Sequence, residues 1–157
     1  MSDDLRIRPY QLDDLDELID LFAGSVREVA SRDYTSDQIA AWAPVAISYK
    51  DWAERLAGRP TYVAVIGDEI VGFSDLEPDG HIDMLYVHSR FQRRGVARAL
   101  LTHIQAQAGE RGISRLFTEA SVTAKPVFER YGFEVIAAQE VELRGQRLRN
   151  FRMAKEL

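Results

Sequence analysis

"VHSRFQRRGVARALL", residues 87–101, carries the end of an alternating apolar stretch into the start of a helical one. Arg90, Arg93, Arg94 and Arg98 crowd around Gly95 in a chain whose formal net charge is -5. The first turn of any helix presents N–H groups with no internal partner and carries the positive end of the macrodipole. Arginine opposes that dipole, so several arginines at one helix start imply a bound anion, most simply a phosphate or pyrophosphate. Gly95 has no Cβ to keep an anion off the backbone. Charge alone would suit a solvated basic patch equally well; the strand–loop–glycine–helix context favours the anion. The stretch is not a P-loop, because no Gly-Lys-Ser/Thr occurs, and it lacks the G-x-G-x-x-G of dinucleotide sites.

Outward from this stretch the periodicity alternates between sheet and helix. "HIDMLYV" (81–87) reads as the strand that feeds the helix, and "GVARALLTHIQAQAGERG" (95–112) sets Val96, Leu100, Leu101, Ile104 and Ala108 along one face. Upstream, "TYVAVIG" and "EIVGFSDLE" are two strands joined at Gly67-Asp68, a hairpin signal. The N-terminal part opens with a strand, "LRIRPY", ended by Pro9. Three helices follow. The first runs from Asp13 with Leu15, Leu18, Ile19, Phe22, Val26 and Val29 at helical spacing; the second is capped by Thr35 or Ser36 and stops before Pro44; the third is capped by Ser48 and ends at Gly58. Downstream come a strand, "ISRLFTEAS", a short helix, "TAKPVFERYG", and a closing hairpin that turns near Arg144-Gly145. The order β-α-α-α-β-β-β-α-β-α-β-β predicts an α/β (α+β) fold, a mixed sheet flanked by helices, in one domain over residues 1–157.

Composition narrows the function. With 46% hydrophobic residues the chain can form an ordinary packed core. An acidic chain is a poor candidate for general nucleic-acid binding, and the arginine cluster lacks the interleaved aromatics of a single-strand groove. Cysteine is absent, which excludes disulfides, zinc-thiolate sites and thiol nucleophiles. "MSDDLRIRPY" lacks the basic-then-apolar layout of a signal peptide, and no apolar run reaches membrane-spanning length. These features lead us to expect a cytoplasmic protein with no membrane or nucleic-acid partner and no metal.

Gln92-Arg93-Arg94-Gly95-Val96-Ala97 resembles Q/R-x-x-G-x-G/A, the coenzyme A signature of the GNAT superfamily of N-acetyltransferases. A second stretch, Ala124 to Phe133 ("AKPVFERYGF"), resembles that family's A-x-x-x-Y-x-x-x-G-F. Two landmarks in the right order and spacing make a strong joint signal. "YTSDQIAAW" and the closing "NFRM" further resemble a group of short bacterial members. The resemblance implies a mainly antiparallel central sheet of about seven strands and acetyl-CoA as co-substrate. The backbone amides of Arg93 to Ala97 would cradle the pyrophosphate, Arg93 and Arg94 would add charge, and Arg90 or Arg98 would meet the 3′-phosphate. Leu85, Tyr86 and Val87 would border the pantetheine, which runs as a pseudo-strand between strands 81–87 and 113–119. A homodimer through the C-terminal strands fits the resemblance too.

Acetyl transfer from a thioester to an amine needs a neutral amine, a donor for the developing oxyanion and an outlet for the thiolate. The resemblance puts the oxyanion donor at a backbone N–H near Met84–Tyr86. It also puts a proton-donating tyrosine at Phe128, next to the cofactor, where this chain has no hydroxyl. Either the reaction runs without that acid, or the protein binds the cofactor without catalysis. Tyr131 and Tyr86 are the candidate substitutes. Asp83, Glu119 and His81 are the candidate bases. Tyr34, Trp42 and Trp52 are candidates to line an acceptor pocket, although helix packing explains them as well. The expected acceptor is a small-molecule amine, reached by direct transfer in a ternary complex. The alternative is a CoA-sensing or regulatory module on the same fold.

Overall fold

The computed structural model describes residues 4–157; Met1–Asp3, the start of the "MSDDLRIRPY" stretch, lie outside the described residues. The elements are β1 (Leu5–Pro9), α1 (Leu15–Glu28), α2 (Ser36–Trp42), α3 (Tyr49–Ala57), β2 (Thr61–Ile66), β3 (Glu69–Asp75), β4 (His81–Ile82), β5 (Leu85–Val87), α4 (Val96–Glu110), β6 (Arg115–Ser121), α5 (Lys125–Arg130), β7 (Glu134–Leu143) and β8 (Gln146–Glu156). Local chemistry sets most of these limits. Thr35 caps α2 by accepting the Gln38 N–H, and Ser48 caps α3 by accepting the Asp51 N–H. The two-residue loops Gly67-Asp68 and Arg144-Gly145 join antiparallel pairs, and Arg144 and Gly145 both take positive φ, as a type I′ turn requires.

The strands form two four-stranded sheets, ordered β1-β2-β3-β5 and β4-β6-β8-β7. The expected single strand over 81–87 is therefore two strands in different sheets, and the described residues hold eight strands where about seven were expected. His81 and Ile82 pair in parallel with Phe117 and Thr118 of β6, whereas Leu85–Val87 pair antiparallel with Gly72–Ser74 of β3. Asp83 and Met84 pair with neither, because their N–H groups both bond the Asp75 side chain.

Helices cover both faces of the first sheet. On one face α1 and α3 bury Leu15, Leu18, Phe22, Val26, Trp52 and Leu56 against Val63, Phe73 and Met84. On the other, α4 buries Val96, Leu100, Leu101, Ile104 and Ala108 against Ala64 and Val71. This second core continues into Leu116, Phe128, Phe133, Phe151 and Met153, so it spans both sheets. β5 and β6 face each other across the divide, and among the described residues they do not pair. That leaves a gap where the two sheets part.

Candidate active site

The helix expected to begin near Arg94-Gly95 begins at Val96, with Gly95 as its N-cap at φ +80°. Few non-glycine residues adopt that conformation, and a Cβ on Gly95 would meet nothing within 4 Å, so the space over the helix start is open. Arg93 is also left-handed, at φ +62°, a strained conformation for an arginine. The first helical bond runs from Ala99 N–H to Gly95 C=O. The N–H groups of Arg93 through Arg98 find no acceptor among the described residues. Nor does any of Arg90, Arg93, Arg94 and Arg98 have a carboxylate partner there; all four are exposed, and Arg94 stacks its guanidinium 5.1 Å from the Phe91 ring centre. Unpartnered amides, the dipole and uncompensated guanidinium groups suit a polyphosphate.

The loop leads back to β5, the free edge of the first sheet. His88 N–H donates to Val71 C=O, so by the antiparallel alternation Tyr86 exchanges hydrogen bonds with Phe73. Leu85 and Val87 then turn their N–H and C=O groups outward, into the gap. Gln92 Nε2 already holds the Val87 C=O at 3.0 Å. Of the N–H groups at Met84–Tyr86, Met84's goes to Asp75 and Tyr86's to the ladder, which leaves Leu85's facing the gap.

The candidate bases flank the point where β4 leaves β6. Asp83 Oδ2 accepts from Arg55 Nε (2.9 Å), Arg55 Nη2 (2.7 Å) and Arg59 Nη1 (2.7 Å). Burial pushes the Asp83 pKa up, but the two arginines together hold it below the ordinary carboxylate value. His81 stacks on Phe117 and sits between two carboxylates, with Nδ1 2.6 Å from Glu77 and Nε2 2.7 Å from Glu119. Burial lowers its pKa, the carboxylates raise it, and the net shift is upward. Glu77, His81 and Asp83 bring ligand-type atoms within 4.8 Å of one another, as a cation site would, but Arg55, Arg59 and the imidazole already engage these groups.

Tyr86 reaches the α1 side of β5, against Phe22 and Phe73, and its hydroxyl accepts from Trp42 Nε1 at 3.3 Å. Burial pushes its pKa up to about 12. Tyr34 and Trp52 are core residues, while Trp42 is half-buried at the cleft beside Tyr86. Phe128 is 2% exposed and packs edge-on against Phe133 at 5.0 Å. Tyr131 ends α5, and its hydroxyl has no hydrogen-bond partner among the described residues. Sequence reasoning missed Arg55, Arg59, Asp75 and Glu77. One signal was available: Asp75 is a carboxylate closing an otherwise apolar strand, and such a group needs a cation partner.

The fold and sequence also have known relatives. Residues 30–157 match the family described as the acetyltransferase (GNAT) domain. The uncharacterized N-acetyltransferase YafP of Escherichia coli strain K12 is 42% identical over 149 residues, covering 95% of this chain and 94% of that protein. A GCN5-related N-acetyltransferase structure from Rhodopseudomonas palustris superposes with a TM-score of 0.94 at 34% identity, covering 100% of this chain and 99% of the other. The PaiA N-acetyltransferase from Thermoplasma acidophilum, solved in complex with coenzyme A, shares the fold with a TM-score of 0.78 at 18% identity over the full length of both chains. The chain belongs to the GNAT family of acetyltransferases.

Proposed function

We propose that the chain transfers the acetyl group of acetyl-CoA directly to a primary amine of a small molecule, with both bound at once. One observation carries the reading: six consecutive amides, Arg93–Arg98, without an acceptor among the described residues, stand beside four arginines without a carboxylate partner there, at the end of β5, whose outer edge is unpaired. In this reading the pyrophosphate lies on those amides, with Arg93 and Arg94 alongside and Arg90 or Arg98 on the 3′-phosphate. The pantetheine extends the sheet along β5, bonding Leu85 and the Val87 N–H, and Phe128 lies in the core behind its thiol end. The acceptor enters from the opposite face, between Trp42 and Tyr86 on one side and Glu119 on the other.

The amine nitrogen attacks the thioester carbonyl, the Leu85 N–H stabilises the oxyanion, and the C–S bond then breaks to release the thiolate. The proton lost by the amine passes to the Glu119–His81 pair. Asp83 is the poorer acceptor, because two guanidinium groups favour its ionised form. A thiol pKa near ~8.5 lets the thiolate leave without a side-chain acid. Phe128 has no proton to give, and a Tyr86 hydroxyl at about 12 gives one up reluctantly.

The test is release of CoA from acetyl-CoA over a panel of amines. Turnover is expected to fall by about 10²-fold or more in Glu119→Gln, the range of general-base contributions, and less in Asp83→Asn. Turnover should also rise with pH through a titration above the ordinary imidazole value of about 6.5, because base catalysis needs the pair unprotonated and its carboxylates raise the His81 pKa. A flat profile there removes the pair as base. Saturable CoA binding with no release on any amine overturns catalysis in favour of a CoA-binding module, the reading that Phe128 would then support.

A further inference from the structure

Strand pairing lapses at Asp83 and Met84, yet side chains hold four backbone groups of residues 82–84. Thr118 Oγ1 donates to the Ile82 C=O at 2.7 Å. The N–H groups of Asp83 and Met84 both donate to Asp75 Oδ1 at 2.9 Å. Ser74 Oγ donates to the Met84 C=O at 2.6 Å. Ser74 and Asp75 are fully buried and Thr118 is 4% exposed. Among the described residues five polar or charged residues are buried, and three of them grip this one short segment. A fourth, Thr61, bonds the Leu56 and Arg59 carbonyls and so steadies the segment from which Arg59 Nη1 reaches Asp75 Oδ2 at 2.8 Å.

Burying polar side chains is no route to stability in itself, since apolar residues of similar volume would pack there without needing partners. This set does what apolar residues could not. One carboxylate oxygen takes two successive N–H groups that a straight strand would turn to opposite sides. The chain must therefore kink, so that 81–82 join β6 while 85–87 join β3. Leu85 is the first residue past the kink, and its N–H emerges in the gap.

We infer that Ser74, Asp75 and Thr118 are positioning residues: they lock the kink at 82–84, part the two sheets there, and so aim the Leu85 N–H at the acyl carbonyl. The inference rests on the acetyl-donor reading above, and its test needs no acceptor.

The probe is [1-13C]acetyl-CoA. An N–H bond to the thioester oxygen lowers the carbonyl stretching frequency, which infrared difference spectroscopy reads on the bound molecule, while calorimetry with unacetylated CoA reads the phosphate and pantetheine contacts alone. The native protein should shift the band to lower frequency. Asp75→Asn keeps an oxygen where both N–H groups converge and should keep the shift. Asp75→Leu, and separately Ser74→Ala combined with Thr118→Val, should lose it with CoA affinity unchanged. If Asp75→Leu does not fold, as judged by circular dichroism, the double variant decides. A shift that survives in the folded variants overturns the inference and leaves the donor reading standing, as does loss of CoA affinity in step with the shift, the mark of a merely structural role. Native protein that binds acetyl-CoA with no band shift removes Leu85 as donor and this inference with it. Native protein that does not bind acetyl-CoA overturns the donor reading itself.

Discussion

Arg94 is bound by no carboxylate among the described residues; its side chain rests on the Phe91 ring beside the open start of α4. A cation left in that state at the positive end of a helix is set to meet an anion. Arg94→Glu should weaken acetyl-CoA binding by about tenfold or more, close to 1.4 kcal/mol per factor of ten. Arg147→Glu makes the same change in net charge on β8 and should leave affinity unchanged. Titration calorimetry at one fixed ionic strength separates the two, because screening alters long-range charge effects. Equal losses in both variants would reduce the effect to net charge and reject the local assignment. Phe128 illustrates a different residue-scale constraint. At 2% exposure a tyrosine hydroxyl there would need a hydrogen-bond partner, whereas phenylalanine fits the apolar cluster around Phe133 without one.

Among the elements, the proposed phosphate cradle depends on how closely α4 lies on β3. Gly72 makes that approach possible: a Cβ there would come 2.7 Å from Val96 Cγ1 and 3.1 Å from the Tyr86 C=O. Gly72→Ala must push Val96, the first residue of α4, away from the sheet. Such overpacking costs about 1–3 kcal/mol, which denaturant unfolding would measure, and acetyl-CoA affinity should fall with it. A Cβ on Gly109, later in the same helix, would meet nothing within 4 Å. Gly109→Ala should instead stabilise the protein by about 0.5–1 kcal/mol and leave binding alone. Equal effects from the two substitutions would contradict the close-packing account.

Across the molecule as a whole, the helical side must be fixed to the second sheet over the cleft. Tyr34 does this with one hydroxyl, which donates to the Arg149 C=O at 2.6 Å and accepts from the Val122 N–H at 2.8 Å. It thereby ties the segment before α2 to β8 and to the residue after β6. Tyr34→Phe keeps the ring and leaves both backbone groups without their partner. Stability should drop by about 1–3 kcal/mol, the penalty for orphaned buried hydrogen-bonding groups, seen as a lower urea midpoint. An unchanged midpoint would mean that packing alone joins the two halves.

Features governed by a few neighbouring residues could be read directly from the residue order. Gly95 at a helix start, the cap Ser48, the cap of α2 at Thr35, one of the two residues the pattern offered, and the turns at Gly67-Asp68 and Arg144-Gly145 all depend on local backbone preference. The break inside "HIDMLYV" was not legible, because no glycine, proline or turn signal marks it and the group that interrupts the strand, Asp75, belongs to the preceding strand. The same holds for Asp83, whose basicity depends on Arg55 and Arg59 at the end of α3 and beyond it, and for His81, set between Glu77 and Glu119. The succession of strands and helices and the glycine turn that opens α4 follow from short-range sterics and periodicity, so both were already written in the chain. Where the sheets part, and which carboxylates pair with arginines and which with a histidine, emerged only with the packed fold, because a buried charge acquires its partners only when distant strands and helices come together.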